Sequence, residues 1–354
     1  MEKQSAYLNV YESLRNDITE GVFPYGKKIP SKRVLADLYD VSVITVEHAL
    51  ELLAEEGYIE KKQRSGCFVI YRKEDMLDAG SSVKKENRPV PKEDDLFPYS
   101  VYVKTVRKVL NDYGEEVMQK SDGAGHMRLR EAIASYLQRC RGISVDPKHI
   151  VIGAGAEYLY TLAVQLLGRY RIFAIESPSY EKIRIMYRSS GVRLDPLKMG
   201  NNGILTSELE RTPASVLHVT PYVSFPSGRS ADASKRNEYI RWANTRDAWI
   251  IEDDYASEFA ANLKSEKTLF AMDPKEHVIY MNTFTRTIAP SVRVGYMILP
   301  EKKAEAMLEE IEKRSCTVST LDQLVLAELL DSGAFERHIN RMRRRLRNHN
   351  NIRS

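Results

Sequence analysis

Cysteine is scarce and scattered: Cys67, Cys140 and Cys316 are the only three in 354 residues, an odd number with no CxxC pair. That excludes a disulfide scaffold and argues against a zinc site, so no metal ligands are assigned. Long apolar runs are missing too. No stretch approaches the ~18 uninterrupted apolar residues of a membrane span. The N-terminus, MEKQSAYLNVYESLRNDI, has no apolar leader core. The expected location is the cytoplasm, with no membrane partner. Nor is there an excess of one charge: a net +4 is too small, and a hydrophobic content of 43% too large, for a disordered chain. What is present is material for two or three domains.

The small net charge hides a segregation. Residues 1–73 hold eleven Lys/Arg and eleven Asp/Glu, but the bases gather at 27–33 and 61–73 while most acids fall at 37–60. A neutral unit can thus present one basic face, as a phosphate backbone requires. The last nineteen residues carry seven arginines and one acid, Glu336.

Residues 74–95, EDMLDAGSSVKKENRPVPKEDD, have the composition of a linker. Before it, Tyr7, Val10, Tyr11, Leu14 and Ile18 fall at helical spacing. Ser31 is suited to cap a second helix over Lys32–Tyr39, and a short turn leads to a third over Ile44–Glu56. Residues 58–62 and 67–71 then pattern as strands around a Gly-containing loop. This is the order of a winged helix-turn-helix, with Lys61, Lys62 and Arg64 placed to lie against phosphates. Three short helices and a basic hairpin equally suit a small protein-interaction module.

The wording of the segment separates the two. Val22–Ala36 (VFPYGKKIPSKRVLA), Val41-Ser42, Thr45-Val46 and Leu53–Ile59 (LAEEGYI) closely resemble the GntR-type winged-helix domain over about residues 5–72. The resemblance implies that Ser31, Arg33, Ser42, Thr45 and Gly66 contact duplex DNA. One departure is Val43, where the family commonly has Arg.

From Phe97 onward, short β-branched runs alternate with helical stretches. The expected strands are 150–152, 172–175, 216–219, 249–251, 278–281 and 293–298, the signature of an α/β sheet with ligands at the strand carboxyl ends. After the first run comes Gly153-Ala154-Gly155-Ala156-Glu157, opening a helix; glycines at a helix N-terminus form an anion cradle. After the fourth comes Glu252-Asp253-Asp254-Tyr255, and after the fifth Asn282–Arg286, with Arg293 further on. Singly, each is a common turn or cap.

Their order and wording resemble the aminotransferase-like domain of the MocR regulators, a GntR subfamily. The matches are Ser121–Gly125 with Leu129-Arg130, Gly153–Leu159, Glu176–Tyr180, Val219–Pro221 with Phe225–Gly228, Ile251–Phe259 and Thr283–Tyr296. The implied architecture is α/β: a winged helix-turn-helix over 1–73, the linker 74–95, and a fold type I domain with a mainly parallel sheet over 96–354. The C-terminal small domain is expected to be incomplete, because the family continues past the position of Ser354. The implied cofactor is pyridoxal 5′-phosphate. Asp253 would face its ring nitrogen, Tyr255 its phenolic oxygen, and Tyr180 would pack against it. Gly155, Ala156, Thr283 and Arg293 would hold the phosphate, with Thr285 completing the set. The family's Schiff-base lysine, which follows Thr285, is Arg286 here. A guanidinium stays protonated to a pKa above ~12 and cannot attack an aldehyde. Ala154 and Ala156 also replace hydroxyl residues, and Tyr222-Val223-Ser224 replaces the usual Ser-His-Gln.

The expected protein is therefore a DNA-binding regulator, not an enzyme. It would act as a homodimer on a double-stranded operator, bind the cofactor noncovalently at most, and have room for a small-molecule effector. The alternatives are a transaminase using another lysine, such as Lys182, and a constitutive DNA binder with a vestigial pocket.

Overall fold

The computed structural model describes residues 6–56, 58–62, 65–71, 97–255, 258 and 267–351. The expected linker, Arg64 and Phe259 lie outside them. The chain divides into two compact units, Met1–Arg88 and Pro89–Ser354.

In the first unit, helix α1 (Ala6–Thr19) precedes α2 (Lys32–Tyr39) and α3 (Val43–Glu55), then strands β1 (Ile59–Lys62) and β2 (Gly66–Val69). Serines start both later helices: Ser31 Oγ accepts from Val34 N and Ser42 Oγ from Thr45 N, each satisfying an orphan donor of the first turn. Leu14, Leu35, Val46, Leu50, Leu53, Ile59 and Val69 form one core, with α3 contributing Val46, Ala49, Leu50 and Leu53 at 3–4 spacing. The hairpin pairs Lys61 with Cys67 and Lys62 with Gly66. Gly66 is required there. Its φ is +106°, and a Cβ would sit 2.7 Å from Cε of Lys28, whose residue bridges to Phe68.

The second unit runs α4 (Tyr99–Tyr113), α5 (Met127–Arg141), β3 (Ile150–Gly153), α6 (Gly155–Leu167), β4 (Ile172–Ser177) and α7 (Glu181–Ser189). Then follow β5 (Arg193–Gly200), β6 (Gly203–Ile204), α8 (Thr206–Arg211), β7 (Val216–Val219), α9 (Ala233–Arg246), β8 (Trp249–Asp253) and α10 (Leu269–Met272). β9 (Val278–Thr283), β10 (Gly295–Ile298), α11 (Glu301–Glu312), α12 (Thr320–Asp331) and α13 (Ala334–Asn351) complete it. The sheet order is β3-β10-β9-β8-β7-β4-β5-β6. β5, β4, β7, β8 and β9 are mutually parallel, while β10 runs antiparallel to both of its neighbours. Alternate strand residues enter separate cores on the two faces. Ile150, Ile152, Tyr280 and Tyr296 pack with α5 and α12, whereas Val151, Ile279 and Met297 pack with α6 and α11.

Three strands depart from the sequence expectation. β5 and β6 were not anticipated, because β5 is a largely unburied strand containing Asp195 and Pro196 instead of an apolar run. The last strand begins at Gly295, so Arg293 belongs to the loop before it.

Behind the sheet's carboxyl edge lies a buried acidic cluster. Glu252 accepts from Tyr222 Oη and from the N–H groups of Leu269 and Phe270, each at 2.9 Å. Asp254 accepts from Arg141 and Tyr280, both at 2.7 Å, and Glu258 from Asn282. Burial pushes Glu252 and Glu258 up to about 7 each, both helped by the charge of Asp254. Both carboxyls hold a proton more tightly folded than unfolded, so their contribution is complete below about pH 4.5 and is lost as pH rises through 7. His338, pushed down to about 4 by burial, works in the opposite direction below pH 6.5. Stability in urea should therefore fall as pH rises from about 4.5 to 7, partly offset by His338 below 6.5, and level off above that, a net loss on the order of a few kcal/mol. Glu252→Gln should flatten that fall, and a rise in stability across the window would refute the assignment.

Candidate functional site

In the first unit the expected DNA-contacting residues fall into two roles. Ser31 and Ser42 cap helices, and Thr45 lies in the first turn of α3, where its N–H donates to Ser42 Oγ and its Oγ1 is 2.8 Å from that oxygen. Gly66 shapes the wing. The cations flank α3: Lys32 pairs with Glu47, Lys61 with Glu51 at 3.7 Å and Lys62 with Glu60 at 3.5 Å. Arg33 lies exposed on the first turn of α2. Exposed surface pairs of this kind are weak and exchange readily for phosphate. Arg64 lies outside the described residues.

In the second unit a cavity of about 380 Å³ opens at the carboxyl ends of the parallel strands. Ala156, Tyr180, Asp253, Tyr255, Thr283, Thr285, Arg286 and Arg293 all line it. Each reaches it for a topological reason: Asp253 ends β8, Thr283 ends β9, and Thr285, Arg286 and Arg293 sit on the loop joining β9 to β10. Gly155 starts α6 with φ +79°, and a Cβ there would lie 3.1 Å from Arg293 Nη2. Glycine is what lets the guanidinium lie against the helix start. That first turn has no side-chain cap, so its N–H groups are available to an anion.

The cavity floor is held by residues that the sequence did not single out. Tyr160, fully buried on α6, donates to Asp253 Oδ2. His218 Nε2 lies 3.5 Å from the same oxygen, and its Nδ1 is 2.7 Å from Tyr187 Oη. Glu176 is buried in the wall, accepting from Thr220 N at 3.1 Å and Ser224 Oγ at 2.6 Å; burial raises its pKa. At the mouth, Tyr180 and Phe225 meet edge to face with centroids 5.8 Å apart. Arg286 lies over the Tyr255 ring, 5.7 Å from its centroid. Burial raises the Tyr255 phenol, and Arg286 opposes that rise.

One arrangement at the anion end runs against the simple cradle. Glu157 Oε1 is 2.6 Å from Lys182 Nζ and 3.5 Å from Arg293 Nη2. The pair with Lys182 lowers the glutamate's pKa and raises that of the lysine. The cavity thus carries three cations, Lys182, Arg286 and Arg293, with an internal carboxylate bridging two of them.

Two family models match. Bacterial regulatory proteins of the gntR family match residues 6–69, and aminotransferase class I and II matches residues 97–352. YdeL of Bacillus subtilis, an uncharacterized HTH-type transcriptional regulator, is 31% identical over 96% of this chain and 76% of its own length. MocR of Rhizobium meliloti, named as a probable rhizopine catabolism regulatory protein, is 28% identical over 95% of this chain and 73% of its own. A crystal structure of Pyrococcus horikoshii kynurenine aminotransferase superposes with a TM-score of 0.64 at 23% identity. That match covers 70% of this chain and 64% of the solved one, and at such identity it speaks for the fold alone.

Arg33→Ala is expected to weaken duplex binding roughly 5- to 150-fold, the ~1–3 kcal/mol of a base or ordered phosphate contact, without changing thermal stability. Lys62→Ala should lower the slope of log K against log salt by about one. Salt titrations by fluorescence anisotropy check both. Unchanged affinity in the arginine variant would take Arg33 out of the interface.

Proposed function

The chain belongs to the HTH-type transcriptional regulators that join a gntR-family domain to an aminotransferase class I and II domain. From that premise we propose that its second unit senses a ligand without catalysis, holding pyridoxal phosphate or its amine form noncovalently. The carrying observation is Arg286 in the cavity wall beside Asp253, Tyr255, Thr283 and Arg293. Asp253 supplies a carboxylate for a protonated ring nitrogen, with Tyr160 donating to it. Arg293 and the open first turn of α6 supply a phosphate site at the other end, and Gly155 leaves the room a Cβ would fill. Tyr180 and Phe225 offer apolar ring surface between. These residues fit a phosphorylated pyridine.

Attached through an enzyme lysine, this cofactor draws electrons from the α-carbon of an amino acid. Here the guanidinium of Arg286 neither condenses with an aldehyde nor accepts a proton near neutral pH. Lys182 is no substitute, because its pairing with Glu157 keeps it an ammonium. The regulator would act as a homodimer in the cytoplasm on a two-half-site operator, since a dimeric protein reads repeated sites with paired winged helices. A small-molecule effector would enter through the same pocket.

A second reading has its own observation. The Glu157 carboxylate already neutralises part of the phosphate end, which suits a vestigial pocket and constitutive DNA binding.

The discriminating experiment adds pyridoxal phosphate to wild type and to Arg286→Lys. Sensing predicts that the cofactor raises the wild-type Tm without adding protein absorbance that survives borohydride and dialysis, whereas the lysine variant gains such absorbance. If neither protein changes in Tm or spectrum, the pocket is vestigial. If wild type itself is fixed by borohydride, another amine does the chemistry and the sensor proposal fails.

A further inference from the structure

Helix α3, the helix that a winged helix-turn-helix inserts into the major groove, has the sequence VITVEHALELLAE and contains no lysine or arginine. It therefore cannot make the bidentate contact to guanine O6 and N7 that dominates direct readout. Its described polar side chains are acidic or already hold local contacts. Glu47 pairs with Lys32 and Glu51 with Lys61, and His48 meets the Tyr7 ring edge-on at 6.2 Å. The Ser42 and Thr45 hydroxyls serve the N-cap.

What the first turn presents instead is hydrocarbon. Val43 is 41% exposed and Ile44 66% exposed, while Val46, Ala49, Leu50 and Leu53 on the same helix are buried. N-terminal residues of a recognition helix are the ones that reach base edges. The apolar feature available to them in the major groove is the C5-methyl of thymine. The flanking cations, Lys32, Arg33 and Lys61, bring phosphates to either side of this turn and leave the apolar pair facing the groove floor.

We propose that Val43 and Ile44 read thymine methyl groups, so that each operator half-site carries thymine where α3 begins. The inference rests on α3 entering the major groove, and it predicts specificity arising from methyl contact in place of a guanine–arginine bond.

The test starts from the full-length protein and a randomised duplex library. Selection should enrich half-sites with an invariant thymine. In the selected duplex, replacing those thymines by deoxyuridine removes only the methyl groups and should weaken binding about fourfold per methyl, from roughly 0.8 kcal/mol per buried carbon. The doubly substituted variant Val43→Ala, Ile44→Ala should lose that discrimination, falling below twofold. Its exposed positions leave Tm unchanged. Val43→Arg should shift the enriched base toward guanine. Three results overturn the proposal: enrichment without thymine, equal affinity for thymine and deoxyuridine duplexes, or undiminished discrimination in the double variant. Salt-dependent binding with no sequence enriched also overturns it while leaving DNA binding intact. Absence of duplex binding at any salt removes the premise as well.

Discussion

Parallel strands must all end on the same side of their sheet, and the pocket follows from that constraint. β4, β7, β8 and β9 deliver Glu176, Thr220, Asp253 and Thr283 to one edge from positions more than a hundred residues apart in the chain. The strand interiors are buried on both faces, so backbone polarity is satisfied within the sheet. Only the strand ends are free to carry chemistry. Asp253 shows what this placement demands. It is a carboxylate with almost no exposure, and it is kept hydrogen-bonded by a tyrosine from a helix on the sheet's face. Its neighbours in sequence, Glu252 and Asp254, alternate to the opposite face and enter the acidic cluster behind the site.

Much of this was legible without coordinates, and the reasons are local. Ser31 marks a helix start because a hydroxyl can satisfy a first-turn donor, and it does so. The apolar runs at 216–219 and 249–251 become strands because nothing in them is suited to a surface. β5 escaped notice for the converse reason: a largely unburied strand with Asp195 and Pro196 has no apolar signature, and its pairing with β4 is a property of the sheet. Among the site residues, those on strand ends and loops could be read from their motifs. Tyr160 and His218 could not. Tyr160 sits at ordinary helical spacing among Leu159, Leu162 and Ala163, and its role depends on a partner 93 residues away. Glu157 was visible within its motif, but its link to Arg293 across 136 residues was not.

The two units handle specificity by different physics. The winged helix has its cations at the edges of α3 and hydrocarbon at its tip, so electrostatics gives attraction and register while apolar contact supplies discrimination. The pocket's walls combine aromatic surface with charged groups, Asp253 and Arg293 among them. In the proposed sensor a ligand would be measured by the separation of its charged groups.

The antiparallel insertion of β10 has a geometric consequence. Because Gly295 pairs with Thr283, the chain leaves β9 and returns to β10 at the same edge of the sheet. Phe284 N bonds to Val294 O at 2.9 Å and Thr285 Oγ1 to Val292 O at 3.1 Å, closing the base of the loop. Positions 286 and 293 are therefore spaced by one hairpin, like two marks on a ruler, and not by the packing around them. A side chain at 286 can change its chemistry while the mark at 293 stays where it is. Such a loop would let the side chain at 286 be exchanged without moving the one at 293.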